Sequence, residues 1–492
     1  MKRILLIVTL ITLGAFTLKA QNELDALRYS QQGIYGNARF AAMSGAFGAL
    51  GGEFSALSYN PAGISMYQFN ELSFSPSFNL NSTTSSSDLL NINDYKLGLN
   101  ISTLGLVYTL PKNNSEWKRI NVGIGWNQLA SYDRNIRIER SNDQTSLADK
   151  ILELAQGNQI NDLDNFYTGP AFWTDLIDLE NNSIDTTLDP IWYTYDNGNY
   201  ISHINGSSSK RQAKHFRSTG YQNEVLFSFG GSYGEKLYVG ASIGLPTINY
   251  NERSIYSEDT FTDTINGLSS FNYNEELSVY GNGLNIKIGG IMRVSEYVKL
   301  GGAIHSPTIY NIEETYSTSI TTNFSNPNQE FTESSPYNYF TYELISPWKA
   351  IASGSIVYNK SIIISGDYEV VDYSFTRMNS ETYLEWSDEN NQNIKDNYTQ
   401  ATNIRIGAEF NVKPFIIRGG YALYGSPYID KNFSRENFSV GAGVNNGNSF
   451  FDIAYVISEA TDEHKLYSED LITPTSIKHK DYNLIFTLGF RY

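Results

Sequence analysis

The segment Asn483-Leu484-Ile485-Phe486-Thr487-Leu488-Gly489-Phe490-Arg491-Tyr492 alternates with a period of two. Leu484, Phe486, Leu488, Phe490 and Tyr492 fall on one face, and Asn483, Thr487, Gly489 and Arg491 fall on the other. That is the periodicity of a β-strand. Its apolar face carries the bulkiest residues and finishes on an aromatic. Such a strand suits a transmembrane barrel, where the last strand closes against the first and no sheet edge is left open.

The same alternation recurs upstream. Ile120, Val122, Ile124 and Trp126 oppose Asn121, Gly123, Gly125 and Asn127, while Leu237, Val239, Ala241 and Ile243 oppose Tyr238, Gly240, Ser242 and Gly244. Leu284, Ile286 and Ile288 alternate with Asn285, Lys287 and Gly289. Ile362, Ile364, Tyr368 and Val370 lie opposite Asp367 and Glu369, and Ile404, Ile406, Ala408 and Phe410 lie opposite Arg405 and Glu409. Small or charged residues occupy the second face each time. Glycine is a poor choice for the wet face of a sandwich, but on the inside of a barrel it leaves room for a plug or channel.

Connections alternate in length as well. Short links are predicted at Gly234 to Lys236, Ser295 to Tyr297, Asn359 to Lys360, Asn411 to Pro414 and Asn445 to Asn448, and long polar ones at about 140–218, 252–277, 311–340, 379–400 and 461–480. Short turns at one end and long loops at the other mark an outer-membrane barrel. The expected fold is therefore all-β, a transmembrane antiparallel β-barrel of about fourteen strands.

Met1 to Ala20 has Lys2 and Arg3, an apolar run from Ile4 to Leu18, and Ala20 before Gln21. This is the layout of a secretory signal peptide, with cleavage expected after Ala20. Beyond Ala20 no apolar run approaches the ~18 residues of a spanning helix, so membrane passage falls to strands. The absence of Cys removes disulfides, thiolate catalysis and a lipoprotein anchor. A mean hydropathy of −0.34 looks soluble, yet alternating lipid-facing and lumen-facing residues cancel in any barrel. A formal net charge of −17 argues against nucleic acid as a partner.

Two regions depart from the strand rhythm. Gln21 to about Asn70 is Gly- and Ala-rich, compact enough to sit in a lumen. In the longest loop, Thr145 or Ser146 can cap a helix whose stripe is Leu147, Ile151, Leu154 and Ala155, with Gly157 ending it. Phe166, Phe172, Trp173, Leu176 and Ile177 then make that loop apolar, either packed on itself or forming a ligand-collecting groove.

Other chemistries find little support. A hydrolase needs a base beside its nucleophile, and His305 and Ser306, as strand neighbours, would point to opposite faces. Four of the five His are expected in loops, and no enzyme is predicted. Haem would require an axial ligand, which 36 Tyr do not single out; aromatic girdles explain them better. Asp196-Asn197-Gly198-Asn199 lacks the terminal acid of a calcium loop and is read as a turn. No cofactor and no metal are expected.

Within the Gly-rich segment stands Gly45-Ala46-Phe47-Gly48-Ala49-Leu50-Gly51-Gly52, followed by Ala56-Leu57-Ser58-Tyr59 and the turn former Asn60-Pro61-Ala62-Gly63. This combination resembles the N-terminal hatch of the FadL/TodX-type outer-membrane transporters for long-chain fatty acids and other hydrophobic compounds. Gly289-Gly290-Ile291 through His305-Ser306-Pro307 is similar to a hairpin of that family, and Pro347 to Tyr358 with Asp367-Tyr368-Glu369 is similar to the next. Arg405 to Glu409, Arg418-Gly419-Gly420-Tyr421 and Ser426-Pro427 are similar to the pair after that.

The resemblance implies a signal peptide over 1–20, a hatch or plug over 21–70 and a barrel over 71–492, in the outer membrane. It implies passive uptake of fatty acids or other hydrophobic small molecules, with lateral release where the third strand kinks inward. Here the kink would include Asn127, Tyr132 and Asp133, with Asp133 where the family has glycine. Asn60, Pro61, Ala62 and Gly63 would form the hatch motif, and Arg253, Phe172 and Trp173 would contact ligand, with Lys395 a vaguer cationic candidate. Expected partners are the hydrophobic ligand, outer-membrane lipids and the barrel assembly machinery, with the chain as a monomer. The alternative reading is a haem-binding barrel, a polar pore or an adhesin.

Overall fold

The computed structural model describes residues 22–87, 90–112, 115–142, 144–180, 198–206, 208–325, 327–359, 361–412, 414–430, 433–467 and 471–492. The predicted signal peptide and the Asp196-Asn197 half of the predicted turn lie outside them.

Fourteen antiparallel strands close into a barrel. They are β1 (Glu71–Ser87), β2 (Leu90–Pro111), β3 (Trp117–Ser131, resuming as Arg134–Asn142), β4 (Lys210–Tyr233), β5 (Leu237–Asp259) and β6 (Leu268–Arg293). β7 (Val298–His305, resuming as Ile309–Ser325), β8 (Asn338–Ile345, resuming as Lys349–Tyr358) and β9 (Ile362–Asp372, resuming as Arg377–Asn379) each carry an interruption. β10 (Gln400–Val412), β11 (Phe415–Tyr424), β12 (Arg435–Asn445), β13 (Ser449–His464) and β14 (Thr475–Arg491) complete the wall. Closure joins β14 to β1, with Glu71 opposite Arg491 and Leu72 opposite Phe490, and Arg491 Nε donates to Glu71 Oε2 at 2.8 Å.

The outward faces carry the alternating apolar residues. Leu484, Phe486, Leu488 and Phe490 lie on the outside of β14, while Ile485 and Thr487 are buried within. Exposed Leu99, Leu106, Ile124, Phe227, Ile243, Ile286 and Ile406 continue this band around the barrel. Aromatic pairs border it at the end of the short turns, where Trp117 meets Tyr233 at 5.4 Å and Tyr297 meets Tyr358 at 5.8 Å between ring centroids. A lipid-facing band flanked by aromatic girdles has this form.

The strands are longer than the sequence suggested. β5 runs to Asp259 and β6 starts at Leu268, so the long loop expected over 252–277 shrinks to 260–267. β4 likewise begins at Lys210 and β7 extends to Ser325. Spanning a bilayer takes about 9–11 strand residues. The remainder projects past the apolar band, where both faces can be polar and the hydrophobic alternation that marks a strand is lost. For the same reason His215, His464 and His479 lie on strands rather than in loops, while His305 ends a strand as expected and His203 lies outside the strands.

The long β3–β4 connection folds into a cap at that far end. Helix α3 (Leu147–Ala155) starts with Ser146 and Asp149 in a reciprocal capping box, and Gly157 follows it at φ +81°. Its buried Leu147, Ala148, Ile151 and Ala155 pack with Ile138, Tyr256, Phe271, Ile320 and Ile477 from the strand extensions.

Residues 22–70 thread down the inside of the wall. Helix α1 (Glu23–Ser30) sits among Tyr132, Tyr250, Tyr310 and Tyr342, and helix α2 (Ala38–Ala42) packs against β12, β13 and β14. A 3₁₀ segment over Pro61–Met66 contacts β3 to β6 before the chain enters β1.

Candidate functional site: the filled lumen and a seam in the wall

Asn60 joins the lumenal segment to itself and to the wall. Its Oδ1 accepts from Ala62 N at 3.0 Å, capping the 3₁₀ turn that Pro61 opens. Its Nδ2 donates to Gly48 O at 2.6 Å and to Gly290 O on β6 at 3.3 Å. This approach is possible only because Gly289 has no side chain: a Cβ there would lie 2.0 Å from Asn60 Oδ1. Gly240 on β5 serves Pro61 in the same way, since a Cβ would fall 2.3 Å from the Pro61 carbonyl oxygen. The inner-face glycines thus form a seat for the Asn60-Pro61-Ala62-Gly63 turn, all four residues of which are buried.

Polar inner-face residues hold the rest of the segment. Ala38 N donates to Thr487 Oγ1 at 2.7 Å, and Gly48 N donates to the Asp367 carboxylate at 3.1 and 3.2 Å. Arg39 donates to both oxygens of Glu409, and the same Glu409 accepts from Arg418 Nε at 2.7 Å. The His305 ring meets the Tyr59 carbonyl at 2.7 Å through Nε2. Tying backbone groups to wall side chains orders an irregular segment that a helix or sheet could not satisfy internally.

The wall itself is interrupted between β2 and β3. The two strands pair from Pro111–Arg119 up to Thr103–Asn127 and no farther. Beyond that point β2 keeps β1 as its partner, and β3 keeps β4 through a register shift between Gln128 and Ala130 and a break at Tyr132 and Asp133. When β3 resumes at Arg134 it lies against β1 through side chains: Thr83, Ser85 and Ser87 donate to the carbonyls of Asn135, Arg137 and Glu139. The resumed segment has therefore left the β2 ladder, though it still touches β2 where Asn135 Nδ2 donates to the Tyr95 carbonyl at 3.2 Å.

Asn127, Tyr132 and Asp133 occupy successive positions along this seam. Asn127 ends the pairing, accepts from Thr103 Oγ1 at 3.0 Å and donates to Ser58 Oγ of the lumenal segment at 2.9 Å. Tyr132 is buried, edge-on to Tyr29 of α1 at 5.9 Å and to Tyr250 at 5.6 Å. Asp133 faces Lys96 across the seam, with Nζ 3.0 Å from Oδ1, and Lys96 also donates to the Ser218 carbonyl at 2.6 Å. Outside the seam, Leu97 and Leu99 are about 70% exposed, at 70% and 69%.

Arg253 sits elsewhere. It is on the outer face of β5, 61% exposed, with Nε 3.4 Å from Glu276 Oε1 on β6, and does not line the lumen. Its even-numbered neighbours Tyr250 and Ser254 point inward instead. Lys395 lies near the end of helix α5 (Leu384–Asn397), in the connection after β9. Phe172 and Trp173, at the end of helix α4 (Thr168–Trp173), stack edge-on at 5.1 Å in the cap; Phe172 also meets Tyr200, and Trp173 is exposed. The structure does not bring these residues together.

Among the described residues, the cations that border the two unfilled lumenal spaces are Lys287, Lys349, Arg405 and Arg435. Lys287 pairs with Glu224 at 2.5 Å, and Arg405 Nη1 donates to Glu369 at 3.0 Å. Each is on the polar side of an alternating strand, which is the one signal the sequence offered for them. Lys96 carried the same signal, between Tyr95 and Leu97.

No family model matches the chain, and no curated protein does. Solved structures do. The P. putida toluene transporter TodX is similar with a TM-score of 0.52 at 12% identity, over 94% of this chain and 99% of its own. A Pseudomonas aeruginosa FadL homologue gives 0.54 at 10%, over 94% and 99%. The Ralstonia pickettii toluene transporter TbuX gives 0.50 at 15%, over 94% and 100%. At these identities the likeness is one of architecture, and it spans nearly all of both chains: this protein has the fourteen-stranded barrel fold of the FadL and TodX structures.

Proposed function

We propose that the protein is an outer-membrane channel for the passive passage of hydrophobic small molecules, with residues 22–70 as its hatch and the β2–β3 seam as its lateral exit. The observation that carries this reading is the end of β2–β3 pairing at Thr103–Asn127, with the exposed Leu97 and Leu99 on the outer side of the unpaired stretch. An apolar solute that leaves sideways passes from protein to lipid without crossing water, which is where its free energy would be highest. The solved structures of like fold include proteins named as toluene transporters and a monoaromatic hydrocarbon channel, which supports a transporter over an enzyme.

Ligand would be collected at the cap, where Trp173 presents an exposed indole. It would next meet the aromatic cluster of Tyr29, Tyr132, Tyr250 and Tyr310 around α1. Tyr132 belongs both to that cluster and to the break in β3, so displacing α1 and loosening the seam would be coupled through one ring. Partition of the ligand and a downhill gradient supply the driving force.

Native mass spectrometry of protein extracted in mild detergent, followed by binding of labelled toluene and labelled oleate, tests the ligand class. Saturable binding of either one supports the reading. Absence of both, together with steady ion conductance in planar bilayers, would replace it with a polar pore.

A further inference from the structure

β4 and β5 pair without a register shift from Arg211–Asp259 to Tyr233–Leu237, so one set of side chains keeps to the outer face along the whole ladder. Low on that face, Val225 and Phe227 of β4 and Ile243 and Leu245 of β5 are exposed in the apolar band. Tyr221 of β4 and Tyr280 of β6, both exposed, stand above them. Hydroxyls and amides follow. Thr219 lies opposite Asn251, and Asn251 lies opposite Ser278, whose Oγ donates to Asn251 Oδ1 at 2.9 Å. The next tier is cationic, with Arg217 directly opposite Arg253.

Like charges directly opposite on one face of a ladder repel. Both arginines are exposed, and one carboxylate, that of Glu276, approaches Arg253 at 3.4 Å. Among the described residues Arg217 has no carboxylate within ion-pair distance, and its neighbour on the β3 side is the neutral Asn135. Other outer-face cations of this sheet are matched: Arg211 meets Asp259 at 2.7 Å, and Arg137 meets Glu139 at 2.7 Å. Arg217 and Arg253 stand four residues beyond Tyr221 and Asn249. That is ~13 Å along a strand, and roughly 9 Å in height at a tilt of about 45°. The headgroup layer of an ordinary bilayer is only roughly 5–7 Å deep on each side. The arginine tier therefore matches phosphate carried on a sugar better than phosphate joined directly to a diacylglycerol.

We infer that Arg217 and Arg253 bind the phosphate of a phosphorylated glycolipid of the outer leaflet, of the lipopolysaccharide class, on the outer wall of the barrel. A phosphate between the two guanidinium groups removes their repulsion and accepts their paired N–H donors. The sugar then lies at the level of Thr219 and Asn251, and the acyl chains lie along Val225 and Leu245. The order of the tiers on the wall is thus the order of such a molecule, from phosphate through sugar to hydrocarbon. Free phosphate would meet only the first tier. The site adjoins the β2–β3 seam, since Lys96 of β2 donates to the carbonyl of Ser218, the residue after Arg217. It requires the barrel to sit in the outer membrane and is independent of what passes through the lumen.

The test uses the folded full chain in detergent, with diphosphoryl lipid A as probe and the same lipid stripped of both phosphates as control. Native mass spectrometry should show saturable binding of the diphosphoryl form, at least about tenfold tighter than that of the control, since hydrogen bonds between charged groups are worth that much. Arg217→Gln with Arg253→Gln should weaken the diphosphoryl lipid by about tenfold or more. Arg211→Gln, on the same face but already matched by Asp259, should leave it unchanged. Heat-modifiable mobility in electrophoresis checks that each variant is folded, and Arg217→Gln alone, which also relieves the repulsion, should show part of the same loss. Equal binding of the two lipids, or binding of lipid A that is unchanged in the arginine variants, overturns the inference. Inorganic phosphate that binds as tightly as lipid A would make the pair a simple anion site and overturn it as well.

Discussion

Lys96 Nζ lies 3.0 Å from Asp133 Oδ1, joining β2 to the break in β3 along the stretch where the two strands share no ladder. Both side chains are largely shielded, at 12% and 15% exposure. The pair does across the seam what backbone hydrogen bonds do elsewhere in the wall, and unlike a ladder it can be undone by moving two side chains. Asp133→Asn and Lys96→Met should each raise the leak of small ions in planar bilayers. The exchanged pair, Lys96→Asp with Asp133→Lys, should bring the leak back toward the parent value. Equal leak in all forms would remove the ion pair from the closure of the seam.

Asn60 makes three hydrogen bonds through one side chain, to Ala62, Gly48 and Gly290. At about 1 kcal/mol each, Asn60→Ala with Pro61→Ala should loosen the hatch by roughly 2–3 kcal/mol while the barrel assembles normally. Amide exchange over residues 45–66 should then quicken by on the order of a hundredfold. Uptake should change as well. Unaltered exchange would mean that the Gly289 and Gly240 seats hold the turn without its asparagine.

Glu53 is buried in the hatch, its Oε1 has no hydrogen-bond partner, and burial pushes its carboxyl up to about 8. Arg39 opposes that rise and Glu71 and Asp452 add to it, so the charged form is disfavoured in place. A raised carboxyl favours the docked hatch fully below the ordinary value of 4.5, and the advantage is lost as pH climbs through about 8. Hatch protection in amide exchange, corrected for intrinsic rates, should decline between about pH 5 and pH 8 and level off above that. In Glu53→Gln it should stay flat.

Removing Phe490 to Tyr492 deletes the closing contacts of Phe490 with Leu72 and of Arg491 with Glu71. Folding into lipid vesicles should fall sharply, read by the heat-modifiable shift in electrophoretic mobility. Normal folding yield would show that the remaining β14–β1 ladder closes the barrel unaided.

What could be read from the sequence followed one physical rule. Wherever the outer face meets an apolar surround, Leu484 to Tyr492, Ile120 to Trp126 and Ile404 to Phe410 write their strands plainly. Past that band the rule has no hold, and Glu252 to Asp259 looked like a loop although it continues β5. Inner-face glycines such as Gly240 and Gly289 announced that something packs closely inside, but not that their partners would be Pro61 and Asn60. The disturbance of alternation after Trp126 marked the break in β3. Its counterpart Lys96 stayed hidden, because a contact between residues 37 positions apart leaves no local pattern. The same holds for Lys349 and Arg435, which the curvature of the barrel brings to one lumenal space, whereas Arg253 stood out by sequence resemblance and faces outward.

The central claim is passage through the seam, and locking the seam tests it most directly. A Cβ at Gly98 would lie 3.0 Å from Asp133 Oδ2, so Gly98→Cys with Asp133→Cys places two thiols within disulfide reach. Uptake of labelled toluene into proteoliposomes should fall by about tenfold or more when the pair is oxidised, and recover on reduction. Uptake that is the same in the oxidised and reduced forms, with the disulfide confirmed by mass spectrometry, would contradict the account.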